Sequence, residues 1–212
     1  NVSDDARILI DGAEVQLVEN ATGGSASIDL SSLPVNVHGY VFMAEETYDP
    51  PTTPLDENGQ GNPYAVYGYG VHLVELTVDT ELGKICIDHI TAAHDVGRAI
   101  NPNLIEGQIE GGIAQGIGLA LMEEYKPFQT ENLHDYLIPT SGDIPKIDTI
   151  IIEEPDWVSP HGAKGLGEHV LIPTAPAILN AIRYATGATV KDLPATPDKV
   201  FRAIQKAKNT NE

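Results

Sequence analysis

The sequence predicts an α+β fold, mixed sheets with helices packed against them. Two observations carry this: strand-like patterns come in adjacent pairs, and helical patterns gather in the second half of the chain. A doubly wound parallel sheet would instead alternate strand and helix throughout.

The elements follow in order. Ile8-Leu9-Ile10, the turn signal Asp11-Gly12, and Val15-Gln16-Leu17-Val18 read as a hairpin. Ala21 to Ser27 is small and polar and reads as a loop, and His38-Gly39-Tyr40-Val41-Phe42 is a further apolar-aromatic run. Residues 49–63 hold Pro50, Pro51, Pro54 and Pro63 with no periodicity, which marks a linker. From Tyr67 to Asp79 the side chains alternate (Val74, Leu76, Val78 against Glu75, Thr77, Asp79), and after a turn at Thr80 to Gly83 the chain returns over Lys84 to Thr91. Asp95-Val96-Gly97 and Asn101-Pro102-Asn103 then break it, with Asn103 as the expected helix cap.

Leu104 to Tyr125 is the longest helical stretch, with Ile105, Ile109, Ile113, Ile117 and Leu121 at four-residue spacing. Four residues overshoot one turn by about 40°, so this ridge winds and suits burial on more than one side. Gly107, Gly111, Gly112, Gly116 and Gly118 fall between, each costing about 1 kcal/mol against alanine in a helix. Close approach of a helix or a ligand would explain them, and Gln108 and Gln115 project from the same small-residue surface. Residues 147–154 read as an isoleucine-rich strand, Thr174 to Gly187 as a capped and stopped helix, and Thr196-Pro197 opens a last helix whose tail frays from Asn209.

The composition narrows the function. Twelve basic against 31 acidic residues give a formal charge of −19, which argues against nucleic acid or an anionic membrane surface as partner. The lone Cys86 permits no internal disulfide and no cysteine-held cluster, as expected in the reducing cytoplasm. No apolar run is long enough to span a membrane. The opening residues are acidic and polar, unlike a signal peptide, and Asn1 in place of methionine suggests a processed or partial piece.

Chemistry concentrates in His161-Gly162-Ala163-Lys164-Gly165-Leu166-Gly167-Glu168-His169, a glycine-rich loop leaving a single carboxylate at its exit. Other sites fail their tests. Gly116-Ile117-Gly118-Leu119-Ala120-Leu121 lacks the third small residue of a dinucleotide fingerprint, and no lysine–threonine pair makes a P-loop. The seven histidines show no ligand spacing, no serine sits in an elbow motif, and Cys86 lies mid-strand. His94 beside Asp95, and His161 and His169 around the loop, are expected to be ordinary hydrogen-bonded or surface histidines. A carboxylate base remains: Glu168, if its loop desolvates it, would titrate nearer neutrality, where a base works best.

Asp95-Val96-Gly97, Ile100-Asn101-Pro102, Gly107 to Gly112, Gln115 to Gly118 and Gly162 to Glu168 occur in this order. Together they resemble the C-terminal part of the molybdenum-binding subunit of the xanthine dehydrogenase and aldehyde oxidase family, over residues 67–204. The resemblance implies that family's molybdopterin-binding fold, and divides the chain into a strand-rich segment with its linker (residues 1–66), completed by a partner chain, and a cofactor-binding region (residues 67–212). It makes Glu168 the base in oxidative hydroxylation of an N-heterocycle or aldehyde, with water as oxygen source. Gln108 would contact the cofactor, with Lys164, Gly165, Leu166 and Gly167 beside it. The metal would have no side-chain ligand, being held by the pterin dithiolene, in bacteria usually as the cytosine dinucleotide. The remaining part of the subunit and proteins carrying 2Fe–2S clusters and FAD would be the partners. A non-catalytic assembly module, or an unrelated anion-binding domain using the glycine helix, are the competing readings.

Overall fold

The computed structural model describes residues 6–19 and 23–210. The chain forms two compact units, Asn1–Asp49 and Pro50–Glu212.

The first unit is an antiparallel meander of β1 (Arg7–Asp11), β2 (Glu14–Val18) and β3 (Ser25–Asp29). The hairpin turns at Gly12 as expected. Part of the loop expected over Ala21 to Ser27 is strand from Ser25 onward: β3 pairs Glu14↔Asp29 through Val18↔Ser25. Every β3 residue is exposed, so backbone pairing alone holds it, and its alternation, Ala26 and Ile28 against Ser25, Ser27 and Asp29, is short. The run at residues 38–42 forms no strand, because Asn36 Oδ1 accepts from the amides of His38 and Tyr40 at 2.9 and 3.0 Å and curls the chain into a turn.

The second unit begins with the proline-rich stretch, irregular but for one bridge, Thr53↔Asn62. Its sheet has the order β4 (Gly70–Asp79), β5 (Lys84–Asp95), β6 (Lys146–Ile152). The β4–β5 pair is antiparallel and the β5–β6 pair parallel, so the sheet is mixed, as predicted. On one face His89 spans all three strands, 2.9 Å from both Glu75 and Asp148. The opposite face turns Val74, Ile90 and Ala92 into the core.

Three helices cover that face: α1 (Pro102–Leu121), α2 (Thr174–Thr186) and α3 (Pro197–Thr210). Ile109, Ile113 and Ile117 are at most 2% exposed, so the four-residue ridge is the buried seam of α1. Asn101 caps α1, in place of Asn103, by accepting from the Leu104 amide at 3.2 Å. The helix stops at Leu121, short of Tyr125, where the Met122 and Glu123 amides both turn to Gly118 O and the Glu123 carboxylate accepts from Tyr136 Oη at 2.7 Å. Among the described residues no helix is long and apolar enough to cross a membrane.

The glycines of α1 divide by what they face. A Cβ on Gly112 would overlap Val170, and one on Gly116 would overlap Thr174; these two let a second segment approach the helix backbone. Gly107 and Gly111 have nothing within 4 Å. Substitution separates the groups: Gly116→Ala is expected to lose roughly 1–3 kcal/mol to overpacking, whereas Gly111→Ala should gain up to about 1 kcal/mol of helix propensity. Urea unfolding of the two variants reads the difference.

Candidate functional site

The loop at residues 161–169 is fastened at both ends. At its start, the Lys164 amide donates to Val96 O at 2.9 Å and the Arg98 amide to Gly162 O at 2.9 Å, next to the bridge Gly97↔Ala163. Gly97 has φ +64°, and a Cβ there would strike Gly162 O, so two constraints demand glycine. The Lys164 ammonium lies 2.5 Å from Asp95 Oδ2, with the two side chains 8% and 11% exposed. Burial works to raise the Asp95 pKa, but the Lys164 hydrogen bond and charge and the Gly97 amide hold it below the usual carboxylate range. The Asp95 hydrogen bond raises that of Lys164. Both are ionised at neutral pH. At its exit the loop becomes a 3₁₀ turn, Glu168–Val170, seated on α1 through Gly112.

Beneath the exit lies a histidine array. His72 Nε2 and His94 Nε2 are 2.8 Å apart, His72 Nδ1 is 3.1 Å from Thr174 Oγ1, and the His94 and His169 ring centroids are 5.4 Å apart. Thr174 is thus the first residue of α2 but no cap; its hydroxyl is turned to His72. His94 is fully buried and His72 8% exposed. Gly70 stands opposite His94 across the β4–β5 ladder, where a Cβ would collide with the ring. Burial pushes the pKa of His72 down to about 4, aided by His94, and that of His94 down to about 4, aided by His169. His169 is lowered by burial, against the pull of Asp95. His94 Nδ1 and His169 Nε2 are buried without a hydrogen-bond partner.

His94 is hydrogen-bonded, as expected, through Nε2 to His72, while His169 is half-buried with its Nε2 unpartnered, which differs from the expected hydrogen-bonded or surface histidine. His161, by contrast, is exposed and apart from them. His72 escaped notice, although extending the inward positions Val74, Leu76 and Val78 back by two residues reaches it. The Asp95–Lys164 pair joins positions 69 apart in the chain, which no local pattern signals.

The expected site residues lie on α1 and on the loop whose closing turn packs against it. Gly112 abuts Val170 and Gly116 abuts Thr174. Gln108 stands one turn before Gly112 on the same helix. Gln108 and Glu168 are exposed, and no described residue hydrogen-bonds to either side chain. Leu166 packs into the core. Gly165 and Gly167 have nothing within 4 Å. Lys164 points inward to Asp95. The desolvation expected of Glu168 is not found within this chain, since its neighbours Gly165 and Gly167 build no wall. Two cavities, of about 570 and 630 Å³, contain neither Glu168 nor Gln108.

Residues 10–145 match the family model of the molybdopterin cofactor-binding domain. The chain belongs to this family. It is 40% identical over 145 residues to the putative xanthine dehydrogenase molybdenum-binding subunit of Escherichia coli K12, covering 66% of this chain and 19% of that protein. It is 41% identical over 152 residues to the aldehyde oxidoreductase of Megalodesulfovibrio gigas, covering 69% and 16%. A solved aldehyde oxidoreductase from Desulfovibrio gigas superposes with a TM-score of 0.70 at 40% identity, over 73% of this chain and 17% of that one. The chain therefore spans about a fifth of the length of the curated relatives it matches. The resemblance and the α+β, molybdopterin-binding fold read from the sequence are borne out.

The residues present fit a cofactor held by hydrogen bonds and backbone approach. Four glycines (Gly107, Gly111, Gly165, Gly167) leave open the space a Cβ would fill, and Gln108 offers an unengaged amide. Among the described residues no cluster of histidine, cysteine or carboxylate side chains could hold a bare metal ion.

The histidine array fixes a pH dependence. An unfolded histidine titrates near 6.5, whereas His72 and His94 titrate in the fold at about 4. The folded chain thus binds fewer protons than the unfolded one between these values. Stability is expected to be full above about pH 6.5 and to fall as pH drops toward 4. Ring-proton NMR should find both imidazoles neutral at pH 5.5; titration at the ordinary histidine value would contradict the assignment.

Proposed function

We propose that this chain supplies the base and one wall of the molybdopterin site in a molybdenum hydroxylase acting on an N-heterocycle or an aldehyde. One observation supports the reading: the 3₁₀ turn that Glu168 opens packs on α1, the helix that carries Gln108, and both side chains are exposed. When bound, the molybdenum–molybdopterin group would supply an oxygen atom derived from water and take up the substrate's electron pair. The Glu168 carboxylate takes the proton given up as that oxygen attacks the electron-poor carbon. The Gln108 amide orients the cofactor by hydrogen bonding, and Gly165 and Gly167 let it approach the backbone. Lys164 serves the site from below, by holding the loop to Asp95.

The open surroundings of Glu168 and the chain's share of its relatives' length both favour a site finished elsewhere. On this reading the remaining part of the molybdenum subunit covers the loop, desolvates Glu168 and selects the substrate. Residues 67–212 form the cofactor-binding region, and residues 1–66 are completed by that partner. Iron–sulfur (2Fe–2S) and FAD proteins or domains take the electrons onward, as the lone cysteine here cannot hold a cluster. The cytosine dinucleotide form of the pterin and a cytoplasmic location complete the proposal.

The exposure of Glu168 also favours a second reading, an assembly module without chemistry. Glu168→Gln in the complete molybdoenzyme separates the two. Loss of a general base is expected to cut turnover roughly 10²–10⁴-fold with molybdenum content unchanged; undiminished turnover would remove the base from Glu168. Gln108→Ala deletes one hydrogen bond, worth about 1.4 kcal/mol, and should weaken cofactor retention about tenfold as read by molybdenum release under dilution.

A further inference from the structure

We infer that His94 and Asp95, consecutive at the end of β5, are positioning residues that set where Glu168 stands. This deepens the reading of Glu168 as the base and rests on it. Between the two fastenings of the loop, Leu166 is held in the core and the Glu168 carbonyl accepts from the Leu171 amide at 3.2 Å. The glycines have no neighbour to constrain them, so the position of Glu168 is set by the fixed points on either side. Asp95 makes the first. Its Oδ2 binds the Lys164 ammonium and its Oδ1 accepts from the Gly97 amide at 2.9 Å, next to the backbone bonds from Lys164 and Arg98. His94 makes the second. Its ring lies against His169, the residue after Glu168, and is itself held by His72, which Thr174 holds in turn. One strand end therefore grips both sides of a four-residue span.

The groups facing this grip are few. His72 reaches it from β4, Thr174 from α2, His169 from the 3₁₀ turn and Lys164 from the loop, and the Tyr69 ring lies 5.9 Å from the Lys164 ammonium. Asp95 and Lys164 carry the opposite charges, and the Asp156 and Glu154 carboxylates also act on the Lys164 ammonium. The loop end rests on a charge pair at its start and on neutral imidazole packing at its exit. Glycine backbone lies against the outer rings, Gly70 against His94 and Gly68 against His169.

The test uses the complete molybdoenzyme carrying Asp95→Asn or Lys164→Gln. Misplacing a reacting group by about 1 Å costs on the order of a hundredfold in rate. The expected result is therefore a kcat lower by up to that factor, with KM and molybdenum content unchanged. Amide hydrogen exchange should quicken at residues 162–170 and stay as before in α2 and α3. The double variant, which leaves no unpaired charge, should lose no more than the worse single one. Loss of molybdenum, or faster exchange throughout the fold, would mean a general structural role and overturn the proposal, as would unchanged kcat. If neither variant assembles, the wild-type enzyme still decides: the Lys164 amide must exchange as slowly as β5, and exchange at the rate of an open loop overturns the assignment. Failure of Glu168→Gln to reduce turnover would instead defeat the base, leaving the exchange result to stand alone.

Discussion

The contact on which the second unit depends is the seam where α1 offers no side chain. Val170 and Thr174 fill the space above Gly112 and Gly116, so the segment after the loop can lie against the helix backbone. A helix interior gives up about 1 kcal/mol for each such glycine relative to alanine. The return is geometric: the 3₁₀ turn carrying Glu168 is fixed against the helix carrying Gln108. The isoleucine ridge on the adjoining face, Ile109, Ile113 and Ile117, is fully inside the core. Burying three such side chains contributes about 1.5–3 kcal/mol each and offsets the glycines.

The loop combines a fixed base with a free tip. Its start is tied by an ion pair and the two backbone hydrogen bonds of the Gly97↔Ala163 bridge, and its end by the α1 seam and the imidazole array. At the tip, Gly165, Gly167 and the Glu168 side chain are open. This division suits a site completed by another surface, because the carboxylate is placed without being enclosed. The buried charge pair and the neutral histidines also differ in what they tolerate. Removing one partner of a buried pair is strongly destabilising, while the histidines tolerate burial only without charge, as their lowered pKa values express.

Much of this was legible in the chain itself, for physical reasons that differ by element. The β4–β5 hairpin reads clearly because one face is buried and the other solvated, which imposes alternation. Gly187 ends α2 in the left-handed conformation, φ +71°, a requirement that leaves its mark on residue choice. The five glycines of α1 announced close approach, but not that Gly112, Gly116 and Gly118 face protein while Gly107 and Gly111 face open space. Strand β3 left only a short trace, Ala26 and Ile28 alternating with Ser25, Ser27 and Asp29, since an exposed strand has no buried face to fill with large apolar residues. The site was half legible. Glu168 and Gln108 are proposed from spaced motifs, while His72 and the Asp95–Lys164 pair depend on contacts between distant segments that only the fold creates. The exposure of Glu168 also lay beyond reach, because desolvation belongs to whatever surrounds a residue.

The central claim is that Gln108 and Glu168 face one cofactor. A crystal structure of the complete molybdenum subunit with its cofactor bound tests it most directly. The account predicts the Glu168 carboxylate enclosed beside the metal centre and the Gln108 amide hydrogen-bonded to the same cofactor. A Glu168 still facing bulk solvent, or the two side chains on different surfaces, would contradict it.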